Sequence, residues 1–267
     1  MKQIIKRSLL VLFLILGLVG CGSNEPSSPT ERDEESQEPT GQAGTFTVAV
    51  PMEMEMAMTS IIESYGQGEI TILADKSGAL QKTIEDGSDI DVFVSGDIKQ
   101  MDTLVREGRI DESQVSNLVA QELVLIQDNK TSTEIQSVDE IPNVEGRIGV
   151  GDINIVPVGR VTQEALVNLN LWNKIQDKSS YLNGAETVIA NVEQGDSDVG
   201  FVYRSDMYEV TGSRIVEAVN PDSYTPVIMP VGILKDQDQG DQAQAFVDFL
   251  QEEQAQNILN EYGFKSL

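Results

Sequence analysis

Within this 267-residue chain, the stretch Gly151-Asp-Ile-Asn-Ile-Val-Pro-Val-Gly159 is the clearest candidate for holding a ligand. A buried strand over 146–150 ends there, and an amphipathic run over 158–172 begins. Pro157 fits the first helical turn, where its missing N–H is not needed. The amides of Val158, Gly159 and Arg160 are then expected to lack intrahelical partners. Gly159 has no side chain to block an approaching group, and the positive end of a helix suits an anion. An ordinary strand-to-helix connection reads the same way, so the stretch by itself leaves both readings open. Other stretches fall at strand ends in the same manner: Val50-Pro-Met-Glu53, Asp75-Lys-Ser-Gly78, Asn183-Gly-Ala-Glu186 and Tyr203. Ligands of open α/β sheets bind outside the carboxyl ends of strands. Asn183 is expected to cap its helix, with Glu186 reciprocating three residues on. Helix-start amides and neutral hydroxyls can together hold a dehydrated oxyanion without a counter-charge. Ser77 also reads as a plain N-cap, and Tyr203 as a core tyrosine with a satisfied hydroxyl.

The elements that must carry these groups alternate from residue 45 onward. Strand patterns cover 45–50, 70–74, 91–95, a long run over 118–127, then 146–150, 199–203 and 224–234, the last broken by Pro230. Helical periodicity covers 54–65, 78–85, 98–107, 158–172, 185–193 and 241–259. Short apolar runs between 3.6-period segments predict an α/β fold with mostly parallel sheets flanked by helices. The length exceeds one small α/β unit and suits two lobes, the first over 45–126 plus 227–267 and the second over 127–226.

The amino terminus reads as an address. Lys2, Lys6 and Arg7 precede an apolar core over 9–18 that is too short to span a bilayer. Residues 1–20 are therefore expected to be a signal peptide. Leu18-Val-Gly-Cys21 looks like a lipobox, with Cys21, the chain's single cysteine, as the lipidated residue. Residues 21–44 are rich in Ser, Pro, Glu and Gln and read as a disordered acidic tether. The net charge of −26 argues against nucleic acid or anionic lipid surfaces as partners. Bulk charge cannot steer an anion here, so an anion site must rely on local donors.

Taken as an ordered set, several runs resemble the molybdate-binding protein of an ABC importer. They are Ser77-Gly-Ala-Leu80, Ile84-Glu-Asp-Gly87, Asp91-Val-Phe-Val-Ser95, Asp97, Met101-Asp102, Gly149-Val-Gly-Asp152, Val156-Pro-Val-Gly159, Glu164-Ala-Leu166, Gly200-Phe-Val-Tyr203, Ser205-Asp206 and Tyr262-Gly-Phe264. The resemblance extends from about residue 46 to the end. It implies a two-lobe, type II periplasmic-binding-protein-like fold closing on a tetrahedral dianion, molybdate or tungstate, with no cofactor. It also implies delivery to a membrane permease by a monomer anchored through Cys21 on the outer face of the cell membrane. Carried over residue by residue, the ligand-binding positions are Ser77, Val158, Ala185 and Tyr203, while the family's first serine falls on Glu53.

Glu53 is a departure. An ionised carboxylate at 4 Å from one unit of negative charge costs about 4 kcal/mol at an effective dielectric of 20. The side chain points away, stays protonated and donates, or the ligand is another oxyanion, a small organic acid or a metal complex. Met52, Met54, Met56 and Met58 would suit a soft metal, although methionines at this spacing also serve as core fillers. With no histidine in the chain, an ordinary zinc or copper site is not expected. An enzyme is not expected either, since no nucleophile motif accompanies the Asp and Glu residues.

Overall fold

The computed structural model describes residues 45–131, 134–235 and 240–267. The expected signal peptide and tether lie outside them. Among the described residues no helix is long and apolar enough to cross a membrane.

Two mixed five-stranded sheets organise the body. The first, in lobe 1, has the order β2-β1-β3-β10-β4, with β1 Thr45–Pro51, β2 Glu69–Asp75, β3 Val92–Val94, β4 Ile110–Gln121 and β10 Val227–Leu234. β1 pairs in parallel with β2 and β3, while β10 runs antiparallel to β3 and β4. The second, in lobe 2, has the order β7-β6-β8-β5-β9, with β5 Leu123–Asp128, β6 Ile148–Gly151, β7 Ser179–Leu182, β8 Val199–Tyr203 and β9 Ser213–Ala218. β6 is parallel to β7 and β8, and β5 is antiparallel to β8 and β9.

The chain crosses between the sheets twice, at Glu122 and over 219–226. The long apolar run over 118–127 is thus two strands in two sheets. The first lobe ends at Gln121 rather than at residue 126. The pattern reads as continuous because both halves are buried: Leu118 and Val119 in the lobe 1 core, Leu123 and Leu125 in the lobe 2 core. Pro230 does not break β10. It sits at a register shift against β4, where its missing N–H is accommodated, and its carbonyl accepts from Ser95 N.

In lobe 1 the helices are α1 Glu55–Tyr65, α2 Ser77–Glu85, α3 Ile98–Arg106, α7 Gly240–Leu250 and α8 Glu253–Glu261. In lobe 2 they are α4 Pro157–Asn168, α5 Trp172–Ile175 and α6 Ala185–Glu193. The run expected to be helical over 158–172 is divided, because Asn170 takes a left-handed turn with φ 59°. On one face of the first sheet, Val48, Val50, Met54, Met58 and Ile61 pack with Phe246 and Leu250. On the other face Leu80, Ile84 and Met101 cover Phe93. Leu166, Trp172 and Phe201 lie in the main core of the second sheet. Apolar burial on both faces makes the central strands β3, β5 and β8 continuous hydrophobic runs.

Candidate functional site

On the lobe 1 side, the carboxyl ends of β1, β2 and β3 meet. β1 leads through a 3-10 turn, Met52–Met54, into α1, and this turn carries Glu53. β2 leads through Lys76, the N-cap of α2, to Ser77 at its first helical position. Ser77 is therefore not the cap; its Oγ instead accepts from Gly96 N at 2.8 Å, tying the loop after β3 to the start of α2. A Cβ on Gly96 would lie 2.9 Å from Ser77 Oγ and 3.4 Å from Glu53 Oε1. The absent side chain thus leaves a corner shared by the serine hydroxyl and the glutamate carboxyl. The Lys76 carbonyl takes the amides of Ala79 and Leu80, and those of Ser77 and Gly78 have no acceptor among the described residues.

On the lobe 2 side, α4 opens immediately after β6. Pro157 is in its first turn, as expected from its fixed φ. The amides of Gly159 and Arg160 are, however, accepted by the Val156 carbonyl at 3.1 and 3.3 Å. Of the three amides expected to be free, only that of Val158 lacks an acceptor among the described residues. Gly159 likewise serves packing rather than ligand access: a Cβ there would meet the Gly151 carbonyl oxygen at 2.1 Å. The side chain of Val158 belongs to the same core cluster as Tyr203.

Tyr203 ends β8 and is 8% exposed. Its Oη is buried with no hydrogen-bond partner among the described residues. A buried hydroxyl left unpaired costs free energy, so it is poised to meet a polar atom. Burial raises its pKa, as do Asp206, Tyr224 and Asp97, while Arg160 opposes them. The hydroxyl is therefore a neutral donor throughout the physiological range. Asp97 is the N-cap of α3 in lobe 1, so Tyr203 feels charge from the opposite lobe. In the turn after β8, Asp206 accepts from Tyr203 N at 2.9 Å. Burial pushes the Asp206 pKa up to about 6; the Tyr203 amide opposes this, and Glu53 and Glu186 add to it.

Ala185 is the first residue of α6. The cap there is Gly184, with φ 127°, and not Asn183; no side chain caps this helix. Glu186 consequently points no reciprocal cap back. It lines, with Glu53 and Asp206, a cleft of about 300 Å³ between the lobes, together with Met52, Met56, Tyr208 and Tyr262. The aromatic pair crosses from lobe to lobe, with ring centroids 4.2 Å apart.

The structure thus brings Glu53 and Ser77 together in lobe 1 and places Val158 and Tyr203 in one core cluster of lobe 2; of the five expected ligand positions, Glu53 is the one among the cleft-lining residues. Ala185 stands at the head of α6, next to the cleft-lining Glu186. The four methionines do not converge. Met54 and Met58 are fully buried in the lobe 1 core, and Met52 and Met56 are exposed in the cleft. No cluster of His, Cys, Asp and Glu able to hold a metal occurs among the described residues. Sequence reasoning missed the Gly96–Asp97 loop as part of the site. The rule that ligands gather at strand carboxyl ends, applied to β3 as well, would have found it. Asp206 carried no such signal, because its importance comes from facing Glu53 across the cleft.

Comparison with known proteins agrees with this fold. A Bacillus subtilis protein, YvgL, assigned as an ABC transporter substrate-binding lipoprotein, is 30% identical over 96% of this chain and 95% of its own length. The molybdate-binding protein ModA of Haemophilus influenzae is 30% identical, covering 82% of this chain and 89% of that one. A substrate-binding domain assigned to a molybdenum ABC transporter of Clostridium difficile superposes with a TM-score of 0.80 at 31% identity, over 84% of this chain and all of that one. The family of bacterial extracellular solute-binding proteins matches residues 46–265, so the sheets, the cleft and the groups around it belong to a chain that is a member of that family, the solute-binding component of an ABC transporter.

Proposed function

We propose that this protein captures molybdate or tungstate outside the cytoplasmic membrane and delivers it to an ABC permease. The observation that carries the reading is the buried Tyr203 hydroxyl with no partner among the described residues, in the same core cluster as Val158, whose amide is also unmatched. Neutral donors held by packing favour a small, dehydrated, fully deprotonated oxyanion, because they need no counter-charge and no reorganisation. The relatives named for molybdate support this choice of ligand. Ser77, Val158, Ala185, Tyr203 and Glu53 are the proposed binding positions. Capture without chemistry is the activity, as the roles of the relatives suggest. The chain acts as a monomer tethered by lipidated Cys21 to the outer face of the membrane.

Calorimetry with molybdate, tungstate, sulfate and phosphate tests the reading. Saturable one-to-one binding of molybdate or tungstate, with neither of the other anions competing, is expected. Binding of none of the four, or of sulfate or phosphate in preference, overturns it. Trp172, the chain's single tryptophan, lies buried in the lobe 2 core with its ring 6.4 Å from Tyr181, and gives an independent fluorescence readout.

A further inference from the structure

Lobe 1 places a carboxyl group where the neutral donor set calls for a hydroxyl. Glu53 Oε1 lies at the corner left open by Gly96, beside Ser77 Oγ. That Oγ accepts from Gly96 N, so its own proton is free to donate. An anion that takes this proton is brought close to the Glu53 carboxyl. No cation pairs with Glu53 among the described residues. The charged groups around it are mostly negative: Glu55 in α1, Asp75 and Asp97 at neighbouring strand ends, and Glu186 and Asp206 across the cleft. The positive ones are Lys76, at the cap of α2, and Arg160, whose charge is felt at Tyr203.

We infer that Glu53 is the specificity-determining residue of the lobe 1 wall, entering the liganded cleft as a neutral carboxylic acid that donates a hydrogen bond to an oxyanion oxygen. This rests on the function proposed above. The step is simple: the carboxylate takes one proton from solvent, an O–H bond forms, and that O–H points at the ligand. Asp206 is the other candidate for the proton, but its carboxylate already accepts from Tyr203 N, and protonation would weaken that bond. Although the residue as a whole is exposed, the protein packed around its carboxyl favours the neutral form of Glu53, partly opposed by a hydrogen bond from its own backbone. A neutral acid presents a donor to oxyanions that carry no proton, such as molybdate, and only a neutral carbonyl oxygen, a weaker acceptor than a carboxylate, to one that must donate a proton, such as hydrogen phosphate.

The test is calorimetry of molybdate binding to the full protein in buffers of different ionisation enthalpy, from pH 6 to 9, with Glu53→Gln and Asp206→Asn alongside. For the wild type we expect uptake of about one proton per ligand near pH 8, and affinity falling close to tenfold per pH unit above the Glu53 pKa. Glu53→Gln keeps an N–H donor of the same shape, so above about pH 7, where Asp206 is ionised, its binding should be independent of both buffer and pH. Asp206→Asn should keep the proton uptake. Wild-type binding with no buffer dependence, or the same uptake in Glu53→Gln, overturns the inference while leaving the function intact. Tight binding of hydrogen phosphate in place of molybdate shows an accepting carboxylate and overturns it as well. Absence of binding to molybdate and tungstate in all three proteins removes the functional reading, and this inference with it.

Discussion

In lobe 2 the proposed donors are neutral and fixed by packing, the Val158 amide at the head of α4 and the Tyr203 hydroxyl at the end of β8, in residues that share one core cluster, while the residues of this lobe that line the cleft include Glu186 and Asp206. On the lobe 1 wall, Ser77 shares its corner with an ionisable side chain, Glu53, in a turn that faces the cleft. The first set of groups needs no proton to meet an anion. The second depends on the protonation of one carboxyl group. Packing sets the difference. After β6, Ile153 and Val156 pack against the lobe 2 core that includes α4, whereas the turn after β1 projects Met52 and Glu53 outward and keeps only Met54 for the core. Affinity is therefore expected to come from lobe 2, and its pH dependence above about pH 7, where Asp206 is already ionised, from lobe 1.

The strongest way to break this comparison is to disturb the rigid wall. Gly159→Val places a side chain into the Gly151 carbonyl, where a Cβ alone would sit at 2.1 Å. Overpacking at backbone should cost about 3 kcal/mol of stability and abolish ligand-induced change in Trp172 fluorescence, as read by thermal melts with and without ligand. On the adjustable wall, Glu53→Ser should act in the opposite direction. Removing the carboxyl should tighten molybdate binding more than tenfold at pH 8, at least about 1.4 kcal/mol, with the gain shrinking as the pH falls. Equal affinities at pH 8 would mean that Glu53 does not meet the ligand.

Tyr203→Phe sharpens the contrast from the rigid side. Loss of one hydrogen bond to a charged ligand should weaken binding by about 1–2 kcal/mol at every pH, measured by titration calorimetry. An unchanged dissociation constant would remove Tyr203 from the site. The smallest effect concerns Asp206, whose folded-state pKa is raised to about 6 from an ordinary 3.8. A raised pKa means that the ionised group is disfavoured in the fold, so its stabilising contribution is present below pH 4 and lost as pH rises through about 6. Asp206→Asn should therefore be more stable than the wild type at pH 7–8, by about 1 kcal/mol. That advantage should vanish on acidification from about pH 6 to 4, as followed by urea denaturation midpoints.

Much of the molecule was legible without coordinates because its central strands are buried on both faces. Apolar runs such as Val92–Val94 and Val199–Tyr203 stand out against the helical periodicities between them. Edge strands were harder. β7 alternates in burial and β9 is only half-buried along much of its length, and neither presents a run of apolar residues. The crossing at Glu122 was hidden for the opposite reason, two buried strands abutting with a single polar residue between sheets. There Glu122 is gripped by Arg204 of lobe 2 and Lys265 of the carboxyl-terminal segment, partners remote in sequence.

The sequence by itself determined the alternation of strands and helices, the proline-led start of α4 and the order of motifs that marks the family, because these rest on residues close together in the chain. Only the tertiary structure decided that Gly159 serves a backbone contact with the end of β6, and that Ser77 and Glu53 share one corner. Those outcomes depend on what the other strands bring within a few ångströms, and hydrogen bonding and desolvation act at that range whatever the separation in sequence.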